Sequence, residues 1–262
     1  TQEWHDAHNT GDIKSGLEVL DSLGTNLRKV EVDTSPTKGE KVLFLCCNTY
    51  NRPDYQLGVG PLNDSISVAR YFVDRGFKVV YLHNPTSNEY RKWLNVVLQE
   101  SESELFHYFT GHGCSVPDLD GDEDDGFDEA YVFEDAVVVD DELLKILVEK
   151  KTNPELKVIL FSDCCHSGSI WDLQSAGFHG LQVPPNVVTI SAARDDQTAK
   201  QVIIKNTDQG IFTYYLIRFL KLDSSLTPRG LDQKMQPHLK KFDQVVTITA
   251  SSDDLIDKPI VF

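Results

Sequence analysis

The sequence predicts an α/β fold with a mostly parallel central sheet covered by helices on both faces, and three observations carry that prediction. Strand-like and helix-like segments alternate along almost the whole chain. The runs Glu104–Phe109 and Leu156–Phe161 are short, aromatic or β-branched, and end at glycine or polar residues, as buried strands do. Each is followed at once by a string of reactive residue types, and the carboxyl ends of strands are where open parallel sheets place their ligand crevices.

The elements follow in order. Ile13 to Val30 has leucines at 17, 20, 23 and 27 on one helical face, although Gly16 and Gly24 weaken a helix there. Lys41–Cys47 reads as the first central strand. Asn63-Asp64 looks like an N-cap ahead of a helix from Ser65 to Val73, with Gly76 near its end. Phe77–Leu82 is a second strand, Ser87–Gln99 a second helix, and the run ending at Phe109 a third strand. Ala130–Phe133 and Ala136–Val139 pair as a small hairpin, and a helix starts at Asp140 or Asp141 and ends at Lys150. After the strand ending at Phe161 come a strand at Asn186–Ser191 and a helix at Gln209–Leu220. A helix from Thr227 to Lys241, broken or bent at Pro237, and a last strand at Gln244–Thr249 complete the order.

The 262 residues, 40% hydrophobic, suffice for one sizeable core, and no Pro/Gly/Ser-rich tract divides them. The expected organisation is an extension over residues 1–40, lying on the core or standing as a mobile arm, and one domain over 41–262. No apolar run approaches the ~18 residues of a membrane span and the amino end does not read as a signal peptide, so no membrane partner is expected. Five cysteines, four of them in the adjacent pairs Cys46-Cys47 and Cys164-Cys165, argue against a disulfide scaffold and for a reducing, cytoplasmic setting. The net charge of −16 is local: thirteen acids and no Lys or Arg fall between Asp118 and Glu142. Such a cluster is a site candidate, and it speaks against nucleic acid, which needs a basic face.

The two reactive strings are Thr110-Gly111-His112-Gly113 and Asp163-Cys164-Cys165-His166-Ser167-Gly168. A thiol attacks as thiolate, and an imidazole within reach both lowers the thiol pKa and protonates the leaving amine. His112 and Cys165 supply that pair, and the amides of Gly113 and Cys165 are placed to face a developing oxyanion. Asp163, two positions before Cys165, stands close enough to line the pocket for the residue preceding the cut; a strand-end turn residue is its plainer role. Zinc is set aside because His112, Cys114, Cys164, Cys165 and His166 do not repeat a structural zinc spacing. Ser167 and Ser169 lack a Gly-x-Ser-x-Gly elbow. Asp118, Asp120, Asp122 and Glu129 match four positions of a calcium loop of the EF-hand type. Glu123 stands where that loop needs Gly, and flanking helices are missing.

At these two strings, and over roughly Lys41 to Ser252, the chain resembles the metacaspases, caspase-like cysteine peptidases of plants, fungi and protists. The local caspase string Gln-Ala-Cys-x-Gly is absent, although a His about 50 residues upstream of the Cys is present. The resemblance implies a caspase-like three-layer sandwich with a large-subunit-like part at 41–178 and a small-subunit-like part at 186–262. It implies endopeptidase action on proteins or peptides after Arg or Lys, with Asp163 and the Asp64 of Asn63-Asp64 as pocket carboxylates; for Asp64 a plain helix cap is the alternative. It implies calcium held by Asp128, Asp140, Asp141 and Asp172, where helix capping by Asp140-Asp141 is the alternative. It also implies a monomer. No Lys or Arg lies between His166 and Ala193, so self-cleavage by a basic-selective enzyme is expected elsewhere, for example after Lys38, Lys150, Lys151 or Lys205. The competing functions are a catalytically silent regulatory homologue, an acidic calcium-binding interaction module, and a related peptidase selective for Asp or Asn.

Overall fold

A computed structural model of the chain describes residues 12–30, 36–117, 127–164, 170–194, 209–242 and 244–262. In chain order its elements are α1 (Ile13–Leu23), β1 (Thr25–Asn26), β2 (Gly39–Cys47), α2 (Gly60–Asp74), β3 (Lys78–His83), α3 (Ser87–Glu100), β4 (Ser101–Thr110), β5 (Gly113–Pro117), β6 (Phe127–Val132), β7 (Val137–Val139), α4 (Asp140–Lys150), β8 (Lys157–Asp163), β9 (Val187–Arg194), α5 (Gln209–Leu222), α6 (Pro228–Leu239) and β10 (Gln244–Ala250), with short 3₁₀ turns between some of them.

The main sheet has the order β1-β3-β2-β4-β8-β9-β10, parallel throughout except for β10, which runs antiparallel to β9. Strand periodicity builds one core on each face. Val42, Phe44 and Cys46 of β2 face Tyr90 and Leu94 of α3 and Leu143 and Leu147 of α4. Leu43, Leu45 and Cys47 face the opposite core, with Leu20 of α1, Phe72 of α2, Phe212 of α5 and Leu231 of α6. Burial on both sides, at about 1.5–3 kcal/mol for each large apolar side chain, makes the central strands a stiff platform for whatever follows their ends. From β2 the chain passes through α2 to β3 on one side, then through α3 to β4 on the other. The strand order therefore reverses between β2 and β4, and a crevice is expected outside their carboxyl ends.

Several elements depart from the sequence expectation. Helix α2 begins at Gly60, with Pro61 in its first turn, so Asn63 and Asp64 are not an N-cap but buried residues inside the helix. Proline has no N–H to satisfy in a first turn and its φ is already helical, which explains the earlier start. Helix α1 stops at Leu23, short of Val30, because Gly24 ends it and the chain turns extended. A Cβ on Gly24 would lie 2.7 Å from the Val79 carbonyl oxygen, so glycine is what lets Thr25 and Asn26 pair in parallel with Val80 and Tyr81. Residues 12–30 thus pack on the core and add an edge strand. The hairpin β6–β7 gains a third strand, β5, paired antiparallel with β6. Helix α6 runs through Pro237 and ends two residues later. Among the described residues no helix is long and apolar enough to cross a membrane.

Candidate active site

His112 lies just past the end of β4, fully buried, and is held from three sides. Its backbone N–H donates to the Tyr50 hydroxyl at 2.8 Å, and that hydroxyl donates onward to the Val132 carbonyl at 2.7 Å. The Tyr50 ring stacks on the imidazole with centroids 4.8 Å apart. On the third side, imidazole Nε2 meets the Tyr55 carbonyl oxygen at 2.7 Å. A carbonyl only accepts, so Nε2 carries the hydrogen of the neutral ring and Nδ1 the lone pair. Gly111 makes the close packing feasible: a Cβ there would sit 2.7 Å from the Tyr50 hydroxyl and 2.9 Å from Cβ of Asn48.

Both partners of His112 come from the segment that leaves β2, and sequence reasoning did not single it out. That segment is pinned by Asn84, which follows β3. The Asn84 side-chain oxygen accepts from the N–H groups of Thr49 (2.8 Å) and Tyr50 (3.0 Å), and Leu57 N–H closes the loop onto the Thr49 carbonyl at 3.2 Å. Tyr50 has a φ of 62° and Asn84 a φ of 48°. A left-handed tyrosine costs on the order of 1–2 kcal/mol and persists only where its surroundings hold it.

Gly113 opens β5 opposite Tyr131. Because Val132 N–H donates to the His112 carbonyl, Gly113 and Tyr131 form a non-hydrogen-bonded pair, and the Gly113 N–H points away from β6. Cys165 lies outside the described residues, as do His166, Ser167 and Ser169. Its strand context is described: β8 pairs in parallel with β4, Thr110 opposite Asp163, and His112 and Cys165 each follow two residues later in sequence. Cys164 is buried in the core shared with Trp171 and Ile170. Three other thiols are poor nucleophiles. Burial raises Cys46 well above its ordinary value, Cys47 to about 12 and Cys114 to about 11.

Asp163, the last residue of β8, and Asp64, in α2, are both fully buried at this end of the sheet. Burial first, and then the neighbouring negative charge of Asp64, push the Asp163 carboxyl well above the usual range. The Thr213 hydroxyl of α5 donates to it at 2.5 Å and in turn lies 2.6 Å from the Tyr108 hydroxyl. Two acids held close in a dry interior disfavour the fold unless one takes up a proton or a cation joins them.

Asp128, Asp140 and Asp141 form a second acidic cluster, with one oxygen from each lying within 4.8 Å of the others. Helix α4 begins at Asp140 after Val139, so Asp140 and Asp141 are first-turn residues. The Asp140 carboxylate accepts from the N–H groups of Glu129 (3.2 Å) and Asp141 (2.8 Å). Burial, and then the charges of Asp128 and Asp141, raise it to about 8 despite those bonds. Hard oxygen donors in mutual repulsion fit a divalent cation such as calcium. The structure does not bring Asp172 to this trio: its carboxylate caps the short turn Leu173–Gly177, accepting from Gln174 N–H at 2.9 Å. A residue of the same connection that the sequence reading overlooked, His179, reaches Asp141 at 3.2 Å. The remaining acidic loop, 118–126, lies outside the described residues.

Comparison with known proteins agrees with this geometry. The caspase domain family matches residues 40–254. Metacaspase-1A of Aspergillus niger is 46% identical over 85 residues, 31% of this chain and 20% of that protein. Metacaspase-1B of Aspergillus terreus is 33% identical over 176 residues, 60% of this chain and 46% of that protein. The aligned regions thus span a fifth to a half of those relatives. Among solved structures, a protein from Geobacter sulfurreducens superposes with a TM-score of 0.59 at 18% identity, covering 85% of this chain and 98% of that one. Caspase-1 from Spodoptera frugiperda superposes with a TM-score of 0.54 at 15% identity, covering 85% and 92%. In sequence and in fold, this chain belongs to the caspase domain family.

Proposed function

We propose that this chain is a cysteine endopeptidase of metacaspase type, cleaving after Arg or Lys and stimulated by calcium. The observation that carries the reading is the strand register: Thr110 pairs with Asp163, so the two motifs leave neighbouring parallel strands side by side, with His112 already held as the Nε2–H tautomer. In the reaction the Cys165 thiol gives its proton to Nδ1 of His112, and the sulfur attacks the scissile carbonyl carbon. The C–N bond breaks and Nδ1 passes the proton to the leaving amine. Water then attacks the thioester, its proton going to Nδ1 and on to the departing sulfur. Proton exchange of this kind supplies roughly 10²–10⁴ in rate. The Gly113 and Cys165 amides hold the oxyanion, the former on the open side of β5.

Asp64 and Asp163 read the residue before the cut. A guanidinium or ammonium entering between them relieves their repulsion, whereas the aspartate favoured by a caspase-like enzyme of opposite selectivity adds to it. Asp128, Asp140 and Asp141 hold calcium, which when bound supplies the positive charge that lets the three ionise together. Action as a monomer on basic protein or peptide substrates in the reducing cytoplasm completes the reading, since a catalytic thiolate needs a reduced thiol.

The test is a fluorogenic peptide panel differing only in the residue before the cut (Arg, Lys, Asp, Asn), run with calcium and with chelator, beside Cys165→Ala. Hydrolysis of the Arg and Lys peptides alone, dependent on calcium and abolished by Cys165→Ala, is the expected result. Turnover of the Asp or Asn peptides, or turnover that survives Cys165→Ala, sinks it.

A further inference from the structure

We propose that Asn84 is a positioning residue for His112, acting through the loop that leaves β2; this rests on the reading of His112 as the catalytic base. Every polar contact described above for the imidazole and its N–H comes from that loop: the Tyr50 hydroxyl on the backbone N–H and the Tyr55 carbonyl on Nε2. The loop has no regular strand to hold it. Its first N–H, that of Asn48, donates to the Thr110 carbonyl at 3.0 Å; the next two, those of Thr49 and Tyr50, converge on the one side-chain oxygen of Asn84, and the Asn84 amide donates to Thr49 Oγ1 at 3.2 Å. The Leu57–Thr49 bond then ties the far end of the loop to the same point, with Tyr55 between. Asn84 is itself fixed: its N–H donates to the Cys47 carbonyl at 3.0 Å, and Arg28 grips the carbonyls of His83 and Asn84 at 3.2 and 3.3 Å while paired to Glu89 at 2.8 Å. Arg28 therefore extends the support to the segment ahead of β2.

The consequence is a tautomer controlled at a distance. With the Asn84 oxygen removed, the N–H groups of Thr49 and Tyr50 lose their shared acceptor, the loop loosens at Tyr50 although its hydroxyl and ring contacts remain, the Tyr55 carbonyl drifts from Nε2, and the Nε2–H form loses its preference over Nδ1–H. The Nδ1–H form has no lone pair on the nitrogen that takes the thiol proton. Asparagine suits the position because it tolerates a positive φ and offers an acceptor; aspartate shares both properties, and glycine only the first.

The experiment compares Asn84→Gly, Asn84→Asp and Tyr50→Phe in the otherwise intact chain. Asn84→Gly is expected to lower kcat about 10- to 100-fold with KM within about twofold, the scale of a small misplacement at a reacting group. Long-range ¹H–¹⁵N spectra of the ring nitrogens of His112 are expected to show one tautomer in the parent and a mixture in Asn84→Gly. Asn84→Asp restores the single tautomer and most of kcat. Tyr50→Phe, which keeps the ring and removes the hydroxyl, shifts both readouts in the same direction as Asn84→Gly and serves if that variant fails to fold. An unchanged tautomer signature in Asn84→Gly and Tyr50→Phe overturns the proposal, as does Asn84→Asp behaving like Asn84→Gly. A tautomer shift in Asn84→Gly, found where the parent chain hydrolyses no peptide, upholds the positioning role and removes the peptidase reading alone.

Discussion

The ring of His112 and the carbonyl of Tyr55 meet at 2.7 Å, so the tautomer of that imidazole is set by a main-chain group that no side-chain substitution deletes. Control passes instead to whatever shapes the loop carrying that carbonyl. The same economy appears at Tyr50, whose single hydroxyl joins the histidine backbone to β6.

The paired acids at the end of β8 make a prediction of opposite sign for stability and activity. Asp163→Asn and Asp64→Asn each remove one charge from a dry site where two repel. Each variant is expected to unfold at higher denaturant, by about 1–2 kcal/mol, as functional strain is relieved. Each is also expected to lose about 100-fold in kcat/KM for Arg peptides. Urea titration and the peptide panel measure the two effects; a loss of stability with retained Arg turnover contradicts the pocket assignment.

Calcium is expected to stabilise the parent chain by about 2.7 kcal/mol at a hundredfold excess over its Kd. Asp140→Asn, which keeps the shape and one of the two acceptor oxygens but removes one charge from the trio, is expected to abolish most of that gain. Thermal unfolding with calcium and with chelator reads it without any substrate. Asp172→Asn is expected to leave the shift in place, because that carboxylate caps a turn apart from the trio.

His107, with His83, contributes to the acid limb of stability. It is buried between Phe44, whose carbonyl accepts from Nδ1 at 3.0 Å, and the Tyr90 hydroxyl, 2.7 Å from Nε2. Burial lowers its pKa from 6.5 to about 4, so the unfolded chain binds a proton between those values that the native chain does not. Stability from this group is therefore complete above about pH 6.5 and falls as pH drops toward 4, by up to ~3 kcal/mol. Replacing the histidine with glutamine, His107→Gln, is expected to flatten that limb in urea titrations run at pH 7 and pH 4.5. An unchanged slope refutes it.

Self-cleavage is expected after Lys38 in preference to Lys150 or Lys151. Lys38 is exposed between a turn and the start of β2, whereas Lys150 closes a helix and Lys151 is buried. A protease needs an extended, accessible bond, so exposure decides among equal side chains. Lys38→Gln is expected to remove the first fragment seen on a calcium time course by intact-mass spectrometry. Lys205 lies outside the described residues, and a first cut there contradicts the ranking.

Much of the fold was legible because strand runs and helical spacings are short-range patterns. The runs ending at Cys47, Phe109 and Phe161 stand as β2, β4 and β8, and the helix read at Ser87–Gln99 stands as α3, with Tyr90, Leu94, Val97 and Leu98 facing one core. Misreadings arose where two local signals competed. Asn63-Asp64 looked like a cap, yet Pro61, two residues before Asn63, fits the first turn of a helix that starts at Gly60, and Gly24 ended α1 because the sheet edge needed its close approach. Strand β5 went unseen because a strand of five residues beside an acidic loop carries little periodicity of its own.

What the sequence by itself determined is the chemistry available: a histidine and a cysteine after strands, acids in one tract, and a frame of alternating elements to carry them. What only the tertiary structure decided is which groups meet, namely the Tyr55 carbonyl with His112, Asn84 with the loop of Tyr50, and Asp140 with Asp128 rather than Asp172. The physical reason is range. Periodicity reports which face of an element is buried, whereas these contacts join residues far apart in sequence through loops whose paths are set by strand order and by a few side-chain hydrogen bonds.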